Sequence, residues 1–123
     1  MTPEGAVKSE ILKHLAGIHA SDKSVWYRVI PVTKMPSGYR KSPLVGLPDI
    51  LVVVDGKTCW IETKDPAKGD PVFSESQKPV ASELVEAGCE ICLTNNVPQA
   101  VAFIARMRAK YGKRGYSHPM DAR

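Results

Sequence analysis

The chain has 123 residues and a mass of 13.4 kDa, enough for one domain built around a single core. Its 43% hydrophobic and 24% charged residues are those of an ordinary globular protein, and no apolar run approaches the roughly 20 residues that cross a bilayer. Met1-Thr2-Pro3-Glu4 lacks the basic-then-apolar pattern of a signal peptide, so the expected location is the cytoplasm. A net charge of +4 and a pI near 9.0 permit nucleic-acid binding without requiring it.

The first predicted element is an amphipathic helix from Pro3 to about Gly17. Thr2 suits its cap, Pro3 its first position and Gly17 its end. Val7, Ile11, Leu15 and Ile18 recur at helical spacing and form the apolar stripe. Glu4 falls near the middle of that stripe, while Glu10 points away from it. A carboxylate there either reaches a site on the sheet beneath or only complements the helix dipole, and composition alone leaves both open. His14 borders the stripe and His19 follows it; both read as surface or packing residues.

Val25 to Ile30 is β-prone and forms the first predicted strand, bounded by Pro31. Residues 32–45 follow as a long irregular loop carrying Lys34, Tyr39, Arg40 and Lys41, with Ser37-Gly38 as a turn. Its cations suit phosphates and Tyr39 suits stacking on an exposed base; the bland alternative is a solvated basic loop.

Ile50 to Val54 and Thr58 to Ile61 flank Asp55-Gly56, a pairing that signals a β-hairpin with a type I′ turn. The two-residue loop sets the register: Val54 faces Lys57, Leu51 faces Trp60 and Asp49 faces Glu62. Directly opposed residues share a face with Cβ atoms roughly 4.5–5.5 Å apart. Two carboxylates that close repel, and a divalent cation is one form of relief. Lys64, two residues beyond Glu62, projects from the same face. Charges on an exposed face would be the ordinary explanation. The apolar flanks Ile50-Leu51 and Trp60-Ile61 argue instead for a central, buried hairpin whose charges need a reason.

Asp65 to Pro71 is a connector, after which Ser74, Ser76 and Gln77 open a helix to about Ala87, ended by Gly88. Ser74 and Gln77 have capping-box spacing, and Pro79 is tolerated only in the first turn. By itself Gln77 reads as a cap or surface residue. Cys89 to Thr94 is the next strand, Asn95-Asn96 a turn, and Pro98 opens a last helix through Val101, Ile104 and Met107. Cys89-Glu90-Ile91-Cys92 is formally C-x-x-C. Within a strand its cysteines point to opposite faces, and no second Cys/His pair completes a zinc site. With Cys59 they read as reduced, buried thiols. Residues 1–110 form the expected domain, and residues 111–123, with Lys113, Arg114 and Arg123, a basic tail.

Gly46-Leu47-Pro48-Asp49, then Glu62-Thr63-Lys64, Gly69, Ser74 and Gln77 resemble the VRR-NUC nucleases of the PD-(D/E)XK superfamily. The resemblance runs from about Glu4 to Thr94. An isolated E-x-K carries no such signal; the ordered set does. It implies an α/β, restriction-endonuclease-like core of order α-β-β-β-α-β-α, a small mixed sheet flanked by helices. It further implies Mg²⁺ or Mn²⁺ held by Asp49, Glu62, the Thr63 carbonyl and Glu4, with Gln77 positioning; beside two acids the Lys64 amine should stay protonated, which favours an electrostatic role over that of general base. DNA, including branched or Holliday-junction DNA, is the implied substrate, with Lys34, Tyr39, Arg40, Lys41 and Lys68 as its contacts. Small stand-alone members are often phage-encoded, which would place the chain in host cytoplasm, and some pair as homodimers. Two other readings compete: a non-catalytic nucleic-acid binder on the same fold, and a C-x-x-C redox protein.

Overall fold

The computed structural model describes residues 1–31 and 44–112. Lys34, Tyr39, Arg40 and Lys41, and the tail residues Lys113, Arg114 and Arg123, lie outside the described residues.

The elements follow the predicted order: α1 (Pro3–Ser21), β1 (Val25–Val29), β2 (Ile50–Val54), β3 (Lys57–Thr63), α2 (Gln77–Glu86), β4 (Glu90–Thr94) and α3 (Val97–Tyr111), with a short 3₁₀ turn at Pro66–Lys68 before α2. The strands lie in the sheet order β1-β2-β3-β4. β1, β2 and β3 pair antiparallel, whereas β3 and β4 pair in parallel. Adjacent parallel strands need a crossover, and α2 supplies it. The architecture is α/β, a four-stranded mixed sheet flanked by helices.

The hairpin has the predicted register, with Leu51 opposite Trp60 and Val54 opposite Lys57. Asp55 and Gly56 both take positive φ, 46° and 86°, as a type I′ turn requires. Register carries the face assignment across the sheet. Val25, Val52, Val54, Cys59 and Ile61 point toward Ile11 and Leu15 of α1 and Phe103, Ile104 and Met107 of α3, and together form the core. Burying each such Ile, Leu or Phe contributes about 1.5–3 kcal/mol. Trp60 and Glu62 face the other way, along with Ile91 and Leu93, over which α2 lies.

The helix α1 runs four residues past the expected stop at Gly17, to Ser21. Tertiary packing overrides the glycine. Ile18 packs against the core, and the helix instead ends on Asp22, whose N–H donates to the Ile18 carbonyl. Asp22 is itself buried, and its carboxylate accepts from Ser24 N–H and Oγ and from Arg108 of α3 at 3.1 Å. Burial alone would raise its pKa; the Ser24 and Arg108 bonds outweigh that and hold it below the usual carboxylate range. The other boundaries shift by one or two residues: β1 stops at Val29, β4 starts at Glu90 and α3 starts at Val97. Thr2 does cap α1, accepting from Gly5 N–H, and Asn96 caps α3, accepting from Gln99 N–H. Among the described residues no helix is long and apolar enough to cross a membrane.

Candidate active site

The strand ends that carry the acids meet where β2 begins and β3 finishes. Asp49 immediately precedes β2, and its carbonyl accepts from Ile30 N–H at 2.8 Å, continuing the β1 ladder. Opposite it, Glu62 Oε1 accepts the Asp49 backbone N–H at 3.0 Å. The Asp49 carboxylate turns to Thr63: Oδ2 accepts both its N–H at 3.0 Å and its hydroxyl at 2.6 Å. Oδ1 accepts no hydrogen bond among the described residues and faces the Lys8 ammonium at 3.9 Å. The two acids are thus held by the ladder end itself.

Lys64 and Gln77 close the cluster. Lys64 Nζ lies 3.2 Å from Glu62 Oε2 and donates to Gln77 Oε1 at 2.8 Å. Gln77 Nε2 donates to Glu62 Oε2 at 2.8 Å. This one amide therefore bridges the acid and the amine. Its carbonyl also accepts Ser74 N–H at 3.0 Å, the back-reaching half of the predicted capping box. Gln77 is the first residue of α2, so Pro79 falls in the first turn, where its missing N–H costs no helical bond.

Glu62 is only 3% exposed. Burial pushes its pKa above the ordinary 4.5, the Asp49 charge adds to this, and the bonds from Gln77 and Lys64 offset it only in part. The sign of the stability effect follows. A carboxyl whose folded pKa is raised contributes stability that is fully present below its unfolded pKa and is lost as pH rises through the folded value. The stability of the metal-free wild type relative to Glu62→Gln is therefore expected to fall as pH rises from about 4.5 toward neutrality. Urea unfolding of both proteins across that range measures the difference; a flat or rising difference would contradict the assignment.

The site residues inferred from sequence are distributed as follows. Asp49, Glu62, Thr63, Lys64 and Gln77 come together. Glu4 is exposed and has no hydrogen bond or ion pair to them; among the described residues no three Asp, Glu, His or Cys side chains gather as a metal cluster. It lines a cavity of about 330 Å³ with Lys64, Lys68, Phe73 and Ser74. Lys68 ends the 3₁₀ turn on that same cavity wall. Lys8 was not anticipated. The available signal was its position one turn after Glu4, on the same side of α1.

The donor set suits a hard cation. Asp49 and Glu62 offer anionic oxygens, and Mg²⁺ is commonly held by one or two carboxylates while retaining waters. A charge shared between them would relieve the repulsion that raises the Glu62 pKa. The cysteines offer no comparable chemistry. Burial pushes the Cys59 thiol up to about 12 and the Cys92 thiol up to about 11, far from a reactive thiolate.

Comparison with solved structures finds a chain described as "VRR_NUC domain", matched with probability 1.00 and a TM-score of 0.60 over 85% of this chain and 97% of that one. This chain has the VRR-NUC fold. The two sequences are 18% identical, so the likeness lies in the path of the backbone. No family profile and no curated protein matches the sequence.

Proposed function

We propose that this protein is a metal-dependent DNA endonuclease that hydrolyses phosphodiester bonds. The observation that carries the reading is the closed set of Asp49, Glu62, Lys64 and Gln77, in which a buried carboxylate is bonded at once to an amine and an amide. A binding module gains nothing from carboxylates turned toward a polyanion.

Asp49, Glu62 and the Thr63 carbonyl would hold Mg²⁺ or Mn²⁺. When bound, the ion supplies an acidified water and withdraws charge from the phosphate. Glu62 and Gln77 fix Lys64 from two sides, so its ammonium is preorganised to stabilise negative charge on the phosphate oxygens as the P–O bond breaks. Gln77 acts through Lys64 and Glu62 and is a positioning residue. Lys68, on the adjacent cavity wall, would contact the flanking phosphates, together with Lys34, Tyr39, Arg40 and Lys41. A homodimer with two such sites would cut both strands of a branched substrate, and would give this small chain the surface it needs to grip one.

The test is cleavage of matched linear, flapped and four-way-junction DNAs with Mg²⁺, Mn²⁺ or EDTA. The expected result is cutting with either metal, none in EDTA, and faster turnover of the junction. Absence of cutting with both metals, alongside DNA binding that persists in EDTA, would replace the nuclease with a binder.

A further inference from the structure

The acids of the site are bracketed by two ammonium groups from different elements, held in very different ways. Lys64 is clamped: Glu62 Oε2 and Gln77 Oε1 both engage it, at 3.2 and 2.8 Å. Lys8 comes from α1 and has Asp49 Oδ1 as its partner at 3.9 Å, beyond the 2.7–3.2 Å range of an N–H···O bond. Charge attraction holds it there, not directional bonding. Both side chains are mostly shielded, at 21% and 19% exposure, so solvent weakens that attraction less than at an open surface. The other Asp49 oxygen is occupied by Thr63, which leaves Oδ1 as the one open to a further cation.

We propose that Lys8 is the resident cation of the metal-free site: its ammonium neutralises Asp49 Oδ1 until a divalent ion takes that oxygen, and the displaced ammonium then serves a substrate phosphate. The inference rests on reading the site as a metal centre. Two cations that compete for one carboxylate oxygen are negatively coupled, and the coupling is reciprocal. Removing Lys8 must therefore tighten the divalent ion. The same removal deprives bound DNA of a positive charge. A residue that only supported the fold would do neither, and a residue that only bound DNA would not do the first.

The experiment uses the full chain and Mn²⁺, whose free form is counted directly by its electron paramagnetic resonance signal. Lys8→Met keeps the apolar stem and removes the charge. It is expected to bind Mn²⁺ at least about fivefold more tightly than wild type. At saturating Mn²⁺ it should bind a cleavage-resistant phosphorothioate DNA duplex, which keeps the backbone charge, more weakly, with the salt dependence of the affinity reduced by about one unit of slope. Lys8→Arg should behave like wild type in both measurements. The control is Lys13→Met on the same helix, where Lys13 pairs with Glu10 at 3.2 Å in solvent. It makes the same change in net charge and should leave the Mn²⁺ affinity unchanged. Unaltered or weakened Mn²⁺ binding in Lys8→Met, or equal tightening in Lys13→Met, would overturn the inference while leaving the metal centre in place. A wild type that takes up no Mn²⁺ would overturn the metal centre and this inference with it.

Discussion

Replacing Asp49 with asparagine is expected to abolish metal-dependent cleavage. Changing outer partners of a metal site already costs about 10–100-fold in affinity or activity, and loss of an anionic ligand should exceed about a hundredfold. The substitution is mild for the fold. An asparagine carbonyl can still accept from Thr63 N–H and Oγ, the two donors that Asp49 Oδ2 satisfies at 3.0 and 2.6 Å. It also withdraws the negative charge that helps raise the Glu62 pKa. Metal-free stability should therefore stay within about 1 kcal/mol of wild type. The discriminating measurement is the melting temperature with and without Mn²⁺. An ion at a hundred times its Kd stabilises the folded state by about 2.7 kcal/mol, and Asp49→Asn should lose that increment entirely. Cleavage within tenfold of wild type, or an undiminished Mn²⁺ shift, would remove Asp49 from the site.

Gly46→Ala is expected to damage both stability and activity through the packing of its turn against α2. Its φ of +90° lies where side chains are strained, and an added Cβ would sit 2.5 Å from the Ser76 carbonyl oxygen and 2.7 Å from Val80 Cγ2. The first of these is backbone at the start of α2 and cannot turn aside. Strain and overpacking each cost about 1–3 kcal/mol, so a total of about 2–6 kcal/mol is expected from denaturant unfolding. To accommodate the methyl group, the Gly46 turn and α2 must separate. Asp49 lies three residues after Gly46 and Gln77 one residue after Ser76, so that separation draws Gln77 away from Glu62 and Lys64. Cleavage rate should fall even under conditions where the protein stays folded. Gly56→Ala is the matched control. Its φ is +86° but an added Cβ meets nothing within 4 Å, so it should cost only about 1–2 kcal/mol and leave the rate alone. Equal effects of the two substitutions would refute the packing argument.

These two residues differ in how visible they are in the sequence. Asp49 could be placed opposite Glu62 because Asp-Gly sets a two-residue turn and the strand period of two does the rest; the observed pairs Leu51–Trp60 and Val54–Lys57 are those expected. Gly46 could be noticed within Gly46-Leu47-Pro48-Asp49, but the nearness of Ser76 is a fact about docking. The same division runs through the helices. Thr2 caps α1 through a bond that spans three residues, so α1 begins where the local pattern puts it; Asn96 caps α3 in the same way, one residue ahead of the expected start at Pro98. The end of α1 was misplaced because Gly17 is a weak local signal, overridden by packing of Ile18 on the core and by Asp22, which the distant Arg108 engages.

What the sequence by itself determined is the order of elements, the hairpin register and the placing of Asp49, Glu62 and Lys64 at one sheet end. Each follows from turn sterics, side-chain alternation or helical period over a few residues. Only the tertiary structure decided that Gln77 bridges Glu62 and Lys64, that Lys8 approaches Asp49, and that Gly46 sits against Ser76. Those contacts depend on how α1 and α2 dock on opposite faces of the sheet. Docking is set by the summed packing of the core, and local rules do not reach that far along the chain.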